Sequence, residues 1–234
     1  MNDVPTAARW SGVHEGAPSR VGFCDAEMER LSACLARLLP NLRQDEVAIT
    51  GGVAIQMGMA RLGREGMRKT ITDLDMVVSA LESVLPSSAD TFLVSHYHSV
   101  RPGVPKFMVQ LVDPVTRIRI DIFPDPVRSL ERSRAVEVGP FQVRSLTLED
   151  ILDHKLLTIS KASPASPVDP KHADDASALG ELLQRPVPVI RPDSLAKDVY
   201  GLDVGEICQR CVLSSSDGFP LASKDEIFRL LGYV

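Results

Sequence analysis

The chain is poor in aromatic residues. One Trp, three Tyr and seven Phe make up 5% of its 234 residues, so its core is mostly aliphatic. Cysteine is scarce as well. The four, Cys24, Cys34, Cys208 and Cys211, are too few for a disulfide scaffold, and a reducing cytoplasm is the expected compartment. There is no long hydrophobic run. The most apolar stretch, 47–60, is interrupted by Thr50, Gly51, Gly52 and Gln56 and falls short of the ~20 residues a bilayer requires, so no membrane role is expected. The N-terminus carries Asp3, Arg9, His14 and Glu15 without an apolar core, which is not the pattern of a secretory signal. Positive charge is not in excess. Lys and Arg number 26 against 31 Asp and Glu, a formal net charge of −5, which argues against a broad electrostatic grip on nucleic acid. No repeat is present, and the 17 Pro and 15 Gly are scattered, which excludes a collagen-like chain. What is there is ordinary for a folded domain: 44% hydrophobic and 24% charged residues, which excludes a mainly disordered chain.

Periodicity divides the chain into three parts. Residues 1–22 lack a regular pattern and read as a flexible arm. Residues 23–146 mix helix and strand, and 147–234 are mainly helical. Asp25 opens a helical pattern through Met28, Leu31, Leu35, Leu38 and Leu39 that Pro40 ends. A short strand over 46–50 runs into Gly51-Gly52, and a helix with Ile55, Met59 and Leu62 on one face follows. The next strand covers 71–78, then a short helix covers 80–85. Extended runs follow over 91–98, 105–112 and 116–123, and Asp113-Pro114 makes the last two a hairpin. Short extended pieces flank Gly139-Pro140. Thr147 is placed to cap a helix over 147–159 with Glu149 and Asp150 in its first turn. After a break at 163–170, helices are predicted near 171–184, 193–199, 203–212 and 223–231. The expected fold is α/β, a small mixed sheet followed by a mainly helical C-terminal portion.

Three features carry chemistry. A Gly-Gly step between strand and helix, here after Thr50, lets backbone amides approach a ligand, and the helix presents its N-terminus to negative charge. The plain alternative is a tight turn. Asp73 and Asp75 are two apart on a predicted strand and so share a face. Two like charges side by side need compensation, and a hard divalent cation supplies it. The alternative is an exposed edge strand whose charges face water. In the run 117–122, Ile118, Ile120 and Ile122 alternate with Arg117, Arg119 and Asp121, so the second set is predicted to share one face. If that strand neighbours the Asp73 strand, three carboxylates converge with Arg119 beside them. Such a set can hold two metal ions that clamp the attacking and leaving oxygens of a phosphoryl displacement.

Gly51-Gly52, Asp73-Leu74-Asp75 and Asp121 together resemble the motif of the nucleotidyltransferases of the DNA polymerase β superfamily. The run Arg68, Thr70, Thr72, Asp73, Asp75 is most similar to bacterial abortive-infection-type nucleotidyltransferase toxins and their mycobacterial relatives. The resemblance covers roughly 46–183, with its specific motifs in 50–75 and at 121. It implies transfer of a nucleoside monophosphate from an NTP to an acceptor: tRNA, a protein side chain or a small molecule such as an aminoglycoside. It implies Mg²⁺ or Mn²⁺ on Asp73, Asp75 and Asp121, and Thr50, Gly51 and Gly52 against the phosphates. Arg68, Lys69, Arg119 and Lys155 are candidate phosphate partners, and a cognate antitoxin is an implied protein partner. Lys155 and Asp174-Asp175 resemble later elements of the toxins more weakly. The rival is a catalytically idle module of the same fold that binds a nucleotide or a partner.

Other candidates read more simply. Cys208-x-x-Cys211 lacks a second Cys pair, and no His follows residue 172, so the four ligands of structural zinc are not assembled; the pair fits a half-buried helix face. His96 and His98 share a face of a predicted strand and read as ordinary histidines. His154 and His172 lie near Lys155 and Asp174-Asp175 in sequence, which leaves a proton-transfer role open.

Overall fold

A computed structural model describes residues 22–64, 70–85, 87–100, 106–125, 127–160 and 169–188. The first 21 residues, Arg68, Lys69, the helices predicted beyond residue 192, and Cys208 and Cys211 lie outside the described residues.

The first helix, α1, spans Asp25–Leu38 and buries Leu31, Cys34, Leu35 and Leu38 on one stripe. Strand β1 (Val47–Thr50) leads directly into α2 (Gly51–Arg61), and β2 spans Asp73–Val78. The segment predicted as a helix over 80–85 is a single 3₁₀ turn, Leu81–Ser83. A four-residue helix, α3 (Ser88–Thr91), precedes β3 (Leu93–Val100), β4 (Lys106–Val112) and β5 (Arg119–Pro124). Then come β6 (Arg134–Val138), β7 (Phe141–Ser145), α4 (Leu148–Ser160) and α5 (Pro170–Leu183).

The strands form one mixed seven-stranded sheet in the order β3-β4-β5-β2-β1-β7-β6. Strand β2 lies at its middle, antiparallel to β1 and parallel to β5. Leu74, Met76, Val77 and Val78 are all buried, as a central strand covered on both faces requires. The exposed-edge alternative for the Asp73 strand is thereby removed. Helix α2 packs on β1 and β2 and touches α4, which lies along α5. Leu148, Ile151, Leu152, Ala176 and Leu179 join the sheet residues in one hydrophobic core.

The hairpin at Asp113-Pro114 forms as expected, with β4 antiparallel to β5. One detail differs. Arg117 does not share the strand face of Arg119 and Asp121. The Asp113 carboxylate accepts hydrogen bonds from Val115 N (3.1 Å) and Thr116 Oγ1 (2.7 Å), and Arg117 N donates to Asp113 O (2.8 Å). These bonds extend the turn through Arg117, which is exposed with φ 56°, and β5 starts at Arg119.

Thr147 caps α4. Its hydroxyl accepts the Asp150 N–H (3.2 Å) and donates to Asp150 Oδ2 (2.8 Å), while Arg132 holds Asp150 from outside the helix. Thr147→Ala is expected to lower stability by about 1 kcal/mol in a denaturant titration, the usual cost of losing such a cap. An unchanged midpoint would mean that the cap contributes nothing.

Candidate functional site

The sheet register builds the site. Thr50 pairs with Asp75 across β1 and β2, Asp75 with Asp121 across β2 and β5, and Asp121 with Gln110 across β5 and β4. Residues opposite one another in a sheet present their side chains on the same face. Asp73 stands two residues from Asp75 on that face, opposite Arg119. One oxygen each from Asp73, Asp75 and Asp121 lies within 4.8 Å of the others. The predicted convergence of the three carboxylates is therefore present.

Their surroundings differ. Asp73 is buried and ion-paired with Arg119 Nη2 (3.0 Å) and Lys171 Nζ (3.4 Å), and Thr72 Oγ1 donates to it (3.2 Å). Asp121 is buried, accepts a hydrogen bond from Gln110 Nε2 (3.0 Å), and lies 3.2 Å from the same Arg119 nitrogen. Burial raises its pKa, against the pull of Arg119 and Gln110. Asp75 touches no cation within ion-pair distance among the described residues. Burial, with the negative charge of Asp73 and Asp121 beside it, pushes its pKa up to about 7. Among the described residues only the charges of Lys155 and Lys171 favour its ionised form, and neither makes an ion-pair contact with it. A divalent cation would, and three oxygen donors this close suit a hard divalent ion.

Gly51 closes the site on the β1 side. Its φ is 62°, and a Cβ there would stand 1.8 Å from Asp75 Oδ2. Only glycine permits both the backbone conformation and the approach. Thr50 and Gly52 flank it, both buried. The start of α2 has no side-chain cap from Thr50, so its leading amides are not satisfied by that hydroxyl.

Lys155 lies on α4 as a buried group, 2.8 Å from Asp175 Oδ2 and 3.1 Å from His172 Nδ1. Its charge is felt at Asp75. Burial, Lys155 and Lys171 push the pKa of His172 down to about 4, so it is neutral near pH 7. Asp174 is exposed, and Asp175 alone of the pair faces Lys155. His154 is not part of this group; it meets Ser129 (3.1 Å) and Asp125 (3.6 Å) instead. His96 and His98 fall on β3.

Several contributors were not singled out in the sequence. Lys171 reaches Asp73 from 98 residues away, which no local pattern announces. Gln110 faces Asp121 across the hairpin, a pairing that counting outward from Asp113-Pro114 could have found. Glu27 and Arg30 of α1 fix the start of both acidic strands. Glu27 accepts the Ile71 N–H (2.7 Å), and Arg30 donates to Ile71 O and to Thr116 O (3.3 Å).

No protein-family model matches the chain, and no curated protein matches it. Solved structures with a similar course of chain exist at low identity. The antibiotic-resistance factor ANT(2'')-Ia is 16% identical, with a TM-score of 0.42 over 82% of this chain and 94% of its own. JHP933 from Helicobacter pylori is 16% identical, with a TM-score of 0.39 over 70% of this chain and 68% of its own. An antigenic nucleotidyltransferase-like protein from Paracoccidioides brasiliensis is 17% identical, with a TM-score of 0.39 over 90% of this chain and 94% of its own.

Proposed function

We propose that the chain is a metal-dependent nucleotidyltransferase that moves a nucleoside monophosphate from an NTP to an acceptor hydroxyl or phosphate. The observation that carries this reading is the meeting of Asp73, Asp75 and Asp121 on two adjacent central strands, directly beside the Gly51 turn. The three carboxylates would hold Mg²⁺ or Mn²⁺, which supplies neutralisation of the triphosphate charge. The chain's own groups do the rest. The backbone at Thr50, Gly51 and Gly52 opens a helix whose N-terminus favours phosphate. Arg119, Lys155 and Lys171 offset the remaining negative charge, with Arg68 as a further phosphate partner. Asp121, oriented by Gln110, takes the acceptor's proton. As the acceptor oxygen bonds to the α-phosphorus, the bond to the bridging oxygen breaks and pyrophosphate leaves.

The acceptor is tRNA, a protein side chain or a small molecule, and the net charge of −5 favours the last two. The toxin-like branch of this reading rests on Arg68, Thr70, Thr72, Asp73 and Asp75, with a cognate antitoxin as the implied partner. Among the described residues no helix is long and apolar enough to cross a membrane.

Incubating the protein with Mg²⁺, a cell extract and each NTP labelled at the α- or the γ-phosphate tests the proposal. Label passing to a product from the α-position alone is the expected result. Mg²⁺-dependent nucleotide binding without any transfer would favour the idle module, and no binding of any NTP would overturn both readings.

A further inference from the structure

Arg119 is the residue whose contacts ask for a further explanation. A single nitrogen, Nη2, lies 3.0 Å from Asp73 Oδ2 and 3.2 Å from Asp121 Oδ2. It thus bridges two of the three carboxylates that would share a cation. The side chain is 18% exposed, so the contact is largely shielded from water and salt. Yet Nε of the same guanidinium is buried and has no hydrogen-bond partner. A buried N–H without a partner is costly, and arginine is normally placed where its fork of donors is used together. Here the fork is spent on one nitrogen. The other cations nearby are placed differently. Lys171 meets Asp73 alone from a half-exposed position, and Lys155 is engaged by Asp175.

We infer that Arg119 occupies the cation position of the metal-free protein, and that a divalent ion binding to Asp73, Asp75 and Asp121 drives its guanidinium off the carboxylates. The inference rests on the metal-site reading above and adds a built-in competitor to it. An ion entering between Asp73 and Asp121 meets a resident positive charge at hydrogen-bond distance from both, and two like charges cannot share that space without strong repulsion. Displacement releases Nη2 and lets the whole fork, Nε included, find acceptors together, and a released planar guanidinium is suited to phosphate oxygens. Ion binding and the appearance of a phosphate-binding arginine are then one event. An NTP arriving with its ion meets an arginine that the ion itself has released.

The test needs no turnover. Mg²⁺ and Mn²⁺ affinities are measured by calorimetry on the wild-type chain, Arg119→Gln and Arg119→Lys. Separately, the Arg119 Nε–H resonance of the wild-type chain, labelled with ¹⁵N-arginine and assigned by its loss in Arg119→Lys, is followed through a Mg²⁺ titration. Arg119→Gln should bind the ions tighter than wild type by roughly tenfold or more, as expected when a competing charge is removed at this range. Arg119→Lys should stay near wild type. The Nε–H resonance should move and saturate together with ion binding. Ion binding that is no tighter in Arg119→Gln, or an Nε–H resonance that stays fixed to saturation, would overturn the inference and leave the metal site standing. No ion binding to wild type or to either variant would overturn both. Should Arg119→Gln fail to fold, the resonance of the wild-type chain decides alone.

Discussion

Asp75→Asn is expected to abolish nucleotidyl transfer while making the metal-free protein more stable. The two effects have one cause. Asp75 sits beside Asp73 and Asp121 and has no ion-pair partner among the described residues, so its charge serves a bound cation. Losing it should lower transfer on the order of a thousandfold or more, because this chemistry runs on charge neutralisation. Without metal the same charge is a penalty. Its pKa in the fold, about 7, lies above the ordinary aspartate value of 3.8, so the folded protein holds that proton more tightly than the unfolded chain. The wild type therefore keeps this stability below about pH 4 and loses it as pH rises through 7. Asparagine does not titrate there. The stability gain of Asp75→Asn should be near zero at acidic pH and grow to on the order of 2–4 kcal/mol by pH 8. Thermal melts in chelator across that range check it. A variant that melts lower than wild type at pH 8 would make Asp75 a member of a structural ion pair. Asp73→Asn should behave differently, since Asp73 already pairs with Arg119 and Lys171 and gains nothing from neutralisation. The sequence alone treats the two aspartates alike; the contacts separate them.

Gly51→Ala is expected to cost about 2–5 kcal/mol and to weaken divalent-ion binding at least tenfold. Two penalties add. An L-residue at a φ of 62° costs about 1–2 kcal/mol. The new methyl would also stand 1.8 Å from Asp75 Oδ2 and 2.8 Å from Asp75 Cβ, so the whole carboxyl must move, an overpacking of about 1–3 kcal/mol. Because the atom displaced is a candidate ligand, affinity should fall with stability. Gly63→Ala separates the contributions. Gly63 also has positive φ, 68°, but a Cβ there meets nothing within 4 Å, so it should cost only the backbone strain, about 1–2 kcal/mol, and leave ion binding unchanged. Equal melting temperatures for the two variants would mean that Gly51 does not press on Asp75.

Much of this arrangement is legible along the chain because it is local. The strand-Gly-Gly-helix unit, the pair Asp73 and Asp75 on one face, and the turn at Asp113-Pro114 each follow from spacing and residue type within a few positions. The convergence with Asp121 needed only the condition that two strands be neighbours, and β2 and β5 are. The parts that were not legible are those joined across the fold. Lys171 on α5 meets Asp73 through packing of α5 on α4, and Glu27 with Arg30 pins Ile71 from a helix more than 40 positions away. Alternation also overreached at Arg117. There the side chain of Asp113 captures the turn and delays the strand, a competition between side-chain and backbone hydrogen bonds that a period of two does not contain.

On the proposed function, Asp73, Asp75 and Asp121 form one cation site that serves a triphosphate. The most direct measurement is anomalous scattering from Mn²⁺ in crystals grown with the ion and a non-hydrolysable NTP. An anomalous peak is expected at roughly 2.0–2.3 Å from oxygens of the three carboxylates, as hard divalent ions bind, with triphosphate oxygens on its open side and the peak lost in Asp75→Asn. Mn²⁺ peaks only elsewhere on the protein, with Arg119 still bridging Asp73 and Asp121, would rule out this site.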